Sequence, residues 1–330
     1  MQTSINDNSD VYYKGLYWND VPEVYKYMCK NFTGDENKWW VEDFKERYAK
    51  KPFEHGLFIN CGNGRMEREF IDKSIVKSVD AFDYSEVLIQ EAKSKRLKRD
   101  IAYFKADANR IELPLGRYDL IVNVAGLHHV QYINKFIHEL GKSLKEDGMM
   151  VNFDYIGPHR NQYSHTQWKL VNKINSELPS SIRHDKLLYP SVPVMFQEDP
   201  TEAIHSDLIM ESIGRYFTIV ERHDTGGGIA YLLLTHNLKV KNKGVLPEIK
   251  KILHYDKQYS GQKIVPPLFS YFIAKPSHKL LSDTRLFSGF QNKENEREEW
   301  ANRWGGVYRM EDYFNLIFYM LKKWVKKIVK

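Results

Sequence analysis

One glycine turn and two carboxylates stand where this chain could hold a nucleoside. The turn is Asn60-Cys61-Gly62-Asn63-Gly64. Its small residues let a backbone approach a ligand closely, and the segment after it presents helix N-terminal N–H groups. Asp83 follows Gly64 by 19 residues, and a carboxylate there can accept both hydrogen bonds of a ribose diol. Asp107 is placed to meet the amino group of a purine. A glycine turn alone is an ordinary strand–helix connection; the turn with both acids at matching strand ends makes a nucleoside site. A second group of residues could move protons or hold a polar substrate. His128 and His129 titrate near neutrality if unperturbed, and either can serve as a general base or as a packing residue. Asp154 and Tyr155 can orient an acceptor or accept its proton, or simply close a strand end, and Arg160, Gln162 and Tyr163 could line a polar pocket or be solvated loop residues.

The elements that must position these residues alternate. Leu57–Asn60 reads as a buried strand stopping at the turn, and Arg65–Asp72 as the helix after it. Ser78–Phe82 is a second strand, and Ser85–Arg96 a helix with Ser85 as its N-cap and Val87, Leu88 and Ala92 on its apolar side. Ile101–Lys105 and Tyr118–Val124 are the third and fourth strands. Ile133–Lys145 is an amphipathic helix and Met149–Phe153 a fifth strand. Strands separated by helices imply βαβ units and a parallel sheet with helices on both faces. Tyr216–Glu221 and Ile229–Thr235, flanking Thr225-Gly226-Gly227-Gly228, read as an antiparallel hairpin. The expected fold is therefore α/β, a doubly wound, seven-stranded, mostly parallel Rossmann-like sheet closed by an antiparallel terminal hairpin, with helical additions at both ends.

The expected organisation has three parts. Residues 1–50 form a helical, ring-rich segment for packing or a lid, with residues 1–10 disordered. Residues 51–275 form the main domain, in which 157–213 is an insertion over the carboxyl ends of the strands, where ligands bind. Residues 276–330 are a polar linker over 276–300 and a basic amphipathic helix over 311–330. That helix fits either an anionic membrane surface or docking on the domain or on a second subunit.

Bulk properties exclude several classes. A net charge of +6 over 330 residues is mild, and with no basic–aromatic stripe near the site a nucleic-acid partner is not expected. The two cysteines, Cys29 and Cys61, exclude a disulfide scaffold and suit a reducing compartment. No Cys/His cluster has zinc-ligand spacing, so no metal site is expected. The first ten residues lack an apolar core for a signal peptide, and no stretch is long and apolar enough to span a bilayer. A cytoplasmic protein, with peripheral membrane contact as an option, is the expectation.

At these residues the sequence resembles the class I S-adenosylmethionine-dependent methyltransferases. The turn CGNG, FDYSEVLIQEAK over 82–93, YFKADANRIELP over 103–114 and YDLIVNVAGLHHV over 118–130 match in order and spacing. It is most similar to a bacterial subgroup with Pro22-Glu23-Val24 near the start, Glu67-Arg68-Glu69 after the turn, an LHH segment and Asp154-Tyr155-Ile156-Gly157-Pro158. The likeness covers about residues 11–275. It implies S-adenosylmethionine as cofactor, with Asn60, Gly62 and Gly64 bordering its methionine part. Asp83 would lie on the ribose, Tyr84 beside the adenine, Asp107 and Ala108 at its edge, and Val124 beneath the sulfonium. Phe58 stands where the family often has an acid and Asn60 where it usually has glycine; Asn is the non-glycine residue that best tolerates positive φ. The implied reaction is methylation, chiefly O-methylation, of a small-molecule or carbohydrate acceptor in glycan or natural-product tailoring, with His129, His128 and Asp154 as candidate catalytic residues. The alternatives are a methyltransferase fold kept as a non-catalytic binding or scaffold protein, and a dehydrogenase. The dinucleotide fingerprint wants a third small residue where Glu67 stands, and an acid there would oppose a pyrophosphate.

Overall fold

The computed structural model describes residues 16–283 and 310–328. The expected disordered N-terminus and most of the expected linker lie outside the described residues. Seven strands form one sheet: β1 (Phe53–Ile59), β2 (Val76–Asp83), β3 (Ile101–Lys105), β4 (Tyr118–Val124), β5 (Leu144–Tyr155), β6 (Phe217–Thr225) and β7 (Phe269–Pro276). Their spatial order is β3-β2-β1-β4-β5-β7-β6. The first five strands pair in parallel, while β7 runs antiparallel to both β5 and β6. The strand order reverses between β1 and β4, which opens a crevice at their carboxyl ends.

Burial on both faces explains the continuous apolar runs in the central strands. Successive residues point to opposite sides, so Phe58 and Val122 enter one apolar cluster while Leu57, Ile59 and Ile121 enter the other. The first cluster is completed by the N-terminal helices α1 (Pro22–Thr33) and α2 (Trp40–Tyr48), through Val24, Met28, Phe32, Trp40 and Phe44. Phe32, Trp40 and Phe44 are thus core, whereas Tyr25 is exposed. α3 (Arg65–Asp72) and α4 (Glu86–Lys95) follow β1 and β2. Ser85 caps α4 by accepting from Leu88 N at 3.3 Å. Ile89 and Ala92 form the buried face of α4, whereas Val87 is exposed, contrary to the expected stripe. α5 (Ile133–Ser143) covers the second cluster, and Leu144, expected within it, already begins β5. The insertion holds α6 (His165–Glu177), α7 (Val192–Glu198) and the start of α8 (Ile209–Tyr216).

The expected hairpin is not formed. Ala230–Leu234 is a short helix, α9, and the partner of β6 is β7, reached through α10 (Leu246–Gly261). An unbroken apolar run carries no period that separates a strand from a buried helix. The glycines serve a close approach instead. A Cβ on Gly226 would stand 1.9 Å from Asp256 Oδ2, and one on Gly228 would stand 2.8 Å from the Pro266 carbonyl. Asp256 accepts from Gly227 N, Ile229 N and Ala230 N at 2.7–2.9 Å and so holds the start of α9. The chain continues through α11 (His278–Leu281), and after the undescribed stretch α12 (Met310–Ile328) packs on α7. Among the described residues no helix is long and apolar enough to cross a membrane.

Candidate functional site

The turn after β1 is built on left-handed backbone. Asn60, Gly62 and Gly64 have φ of 47°, 54° and 75°. Asn60 tolerates this conformation and uses its amide, Nδ2 donating to the Gly126 carbonyl at 2.7 Å, so the loops after β1 and β4 are tied together. At Gly64 a side chain is also excluded by space, since a Cβ would lie 2.4 Å from Tyr103 Oη. Asp83 closes the turn from the neighbouring strand. One carboxylate oxygen accepts from Gly62 N at 2.8 Å and the other from Ser85 N at 2.8 Å. A carboxylate with its two oxygens held apart in this way has the type of acceptors that a vicinal diol requires. Asp107 lies two residues beyond the end of β3, whose Lys105 pairs with Asp83. Its Oδ1 accepts from Asn109 N and Nδ2, and Arg110 approaches Oδ2 at 3.7 Å. Tyr84 is exposed, with Lys105 Nζ 5.8 Å from its ring centre, and Ala108 is buried. Val124 ends β4 half-buried. The candidate nucleoside residues thus share the carboxyl edge of β1, β2, β3 and β4.

Phe58 is buried against Phe70, with ring centres 5.1 Å apart, so no acid occupies that place on β1. Glu67 does not face outward from the helix start as the dinucleotide comparison assumed. It is buried, and burial pushes its carboxyl up to about 8. It still denies the close helix–strand approach of that fingerprint by its size, but not by its charge.

The second constellation lies beyond β4 and β5. Asp154 is fully buried and has five donors. Its Oδ2 accepts from Asn123 Nδ2 at 2.7 Å, Gly126 N at 3.1 Å and Leu127 N at 2.7 Å. Its Oδ1 accepts from Tyr155 N at 2.7 Å and faces His128 Nδ1 at 2.5 Å. Both carboxylate oxygens of Asp154 are thus occupied by donors of the protein itself. Asp154 pins the loop after β4 and orients His128, in keeping with the alternative of an acid that closes a strand end. Burial opposes charge on His128, but the adjacent carboxylate outweighs it and holds the ring at about 9. Asp154 is correspondingly held below the usual carboxylate range, against its burial. His129 behaves oppositely: burial and then the neighbouring His128 push it below the ordinary histidine value. The Thr201 hydroxyl donates to Asp199 Oδ1 at 2.8 Å, so it accepts from His129 Nδ1 at 3.1 Å, and the lone pair of neutral His129 sits on Nε2.

Sequence reasoning missed Asn123, Asn152, Asp199, Thr201 and Glu202. Asn123 and Asn152 are hidden inside apolar strands, where their amides link β4 to β5 at 2.6 Å. The other three come from the insertion and carry no local pattern. Glu202 Oε2 lies 3.7 Å from His128 Nε2. One ligand atom each from His128, His129 and Glu202 falls within 4.8 Å of the others, a grouping that could hold a divalent cation and that spacing along the chain could not reveal. Arg160 is not part of an open polar surface. It is buried, donates to the Pro200 carbonyl at 2.6 Å and lies 4.2 Å from the Phe196 ring centre, bracing the insertion. Tyr155 and Tyr163 are likewise buried, their hydroxyls 3.5 Å apart. Half-buried Gln162 donates to the Arg160 and Pro190 carbonyls.

Residues 57–152, from within β1 into β5, match the family model described as a methyltransferase domain. A chloroplastic protein of Arabidopsis thaliana, described as an uncharacterized methyltransferase, is 30% identical over 127 residues, 35% of this chain and 36% of that one. The ubiquinone biosynthesis O-methyltransferase of Pelagibacter ubique is 32% identical over 114 residues, 33% of this chain and 46% of its own. The chain thus spans less than half the length of these curated relatives. An S-adenosylmethionine-dependent methyltransferase from Mesorhizobium loti has a solved structure similar to this one, with a TM-score of 0.42 and 15% identity over 68% of this chain and 91% of that one. The turn, Asp83, Asp107 and the His128–His129 pair all fall inside the segment that matches a methyltransferase domain.

Proposed function

We propose that this chain is an S-adenosylmethionine-dependent methyltransferase that methylates a hydroxyl of a small-molecule or glycan-type acceptor. The observation that carries the reading is the Gly62–Asp83 hydrogen bond at the β1/β4 reversal, inside the segment that matches a methyltransferase domain. The residues present fit the cofactor's adenosine. Asp83 offers two oriented acceptors for the ribose hydroxyls, and Asp107 an acceptor for the adenine amino group. The cofactor, when bound, supplies a methyl carbon on a cationic sulfur, open to in-line displacement by an acceptor oxygen. The chain's own part is to place that oxygen and receive its proton. His129 does the second, on Nε2, because its neutral form is favoured and Thr201 fixes its tautomer. His128, held by Asp154, keeps positive charge beside it and so keeps His129 unprotonated.

Phe58 and Asn60 favour one rival, a binding module that retains the fold without turnover. Incubating the full chain with cofactor labelled in its methyl group and with fractionated cell extract separates the two. Methylation predicts alkali-stable label in the small-molecule or glycan fraction. Cofactor binding without label in any fraction would replace the enzyme reading with the binding one.

A further inference from the structure

Helix α12 turns its apolar side outward. Phe314, Ile317, Phe318, Leu321, Trp324 and Val325 recur at the three- and four-residue spacing of one helical face, and each is 50–67% exposed. The side toward the body carries half-buried Leu316 and Tyr319, with Lys323 Nζ 3.7 Å from Glu198 Oε1 of α7. A terminal helix that served only to complete the core would present the opposite face. The charge is also ordered. Glu311 and Asp312 begin the segment, whereas Met320–Lys330 holds five lysines and no acid. On a helical projection Lys322 falls beside the apolar stripe and Lys323 behind it. Lys322 lies at its edge, with Nζ 4.6 Å from the Phe318 ring centre.

From this outward stripe bordered by lysines we propose that α12 binds flat on an anionic lipid bilayer, its apolar face in the acyl boundary and its lysines among the headgroups. The charge selects this occupant: a segment with five lysines and no acid complements anionic lipid and repels a like-charged copy of itself laid in parallel. Trp324 on the same face suits the interface between apolar and wet layers. The helix rests on α7, and α7 leads directly into Asp199, Thr201 and Glu202 beside His129. Bilayer contact therefore sets the mouth of the insertion next to the membrane surface. The contact itself is independent of whether the chain transfers methyl groups.

Sedimentation of the full chain with sucrose-loaded vesicles tests it, using phosphatidylcholine alone and with roughly one-third phosphatidylglycerol. The expected result is partitioning at least about tenfold stronger on the anionic vesicles, weakening with added salt. Joint F318E and W324E substitution should lower it about tenfold, with circular dichroism and Tm showing that the domain remains folded. K322E with K326E should remove the preference for anionic lipid. Equal partitioning of the parent and both variants would overturn the proposal. So would light scattering that shows a dimer abolished by F318E/W324E together with no vesicle binding, which would place a second copy on the stripe.

Discussion

Glu67 shows how one side chain ties stability to pH. Its Oε2 is buried without a hydrogen-bond partner, and its folded value of about 8 lies above the ordinary 4.5. The folded chain keeps a proton that the unfolded chain gives up. The stabilisation is complete below about pH 4.5 and is lost as pH rises through about 8, at a cost on the order of a few kcal/mol. E67Q should therefore gain Tm relative to the parent as pH is raised from 6 to about 9, by several degrees, in parallel thermal melts. An unchanged difference across that range would show that the carboxyl is ionised and solvated. His129 gives the corresponding kinetic prediction. With its basic form favoured, kcat should fall on the acid side with an apparent pKa below the ordinary histidine value. H129Q should lose about 100-fold or more in kcat together with that acid limb. At this scale the sequence revealed which residues could do chemistry but not what each one does. Asp154 and His128 were legible as a strand-end acid and a loop histidine, while four of the five donors around the acid come from residues 123–128, some 26 to 31 positions away.

Among the elements, the five parallel strands and the helices between them were readable because the central strands are buried on both faces, edge strand β3 alternates, and a helix start such as Ser85 carries a local signal. The terminal hairpin was not. Ala230–Leu234 has no alternation, and what makes it a helix is Asp256, 26 residues beyond Ala230, capping its first N–H groups. D256A should cost about 3 kcal/mol in urea unfolding, since it strands several buried donors at once. A loss below about 0.5 kcal/mol would mean that water or a neighbour satisfies them. The three glycines gave a misleading signal for the same reason: their purpose is the approach of the backbone to Asp256 and Pro266, and a long-range contact has no local signature.

For the whole molecule, the reversal of strand order between β1 and β4 gathers the turn, Asp83 and Asp107 at one edge, while the insertion brings Asp199, Thr201 and Glu202 over the next strand ends. The first gathering follows from topology and was legible; the second depends on how 157–213 folds back and was not. The most direct test of the account is calorimetric titration of S-adenosylhomocysteine into the full chain and into D83A and D83N. One site per chain is expected in the parent and at least about a tenfold loss of affinity in both variants, with circular dichroism unchanged. No binding to the parent, or equal binding to all three, would contradict it.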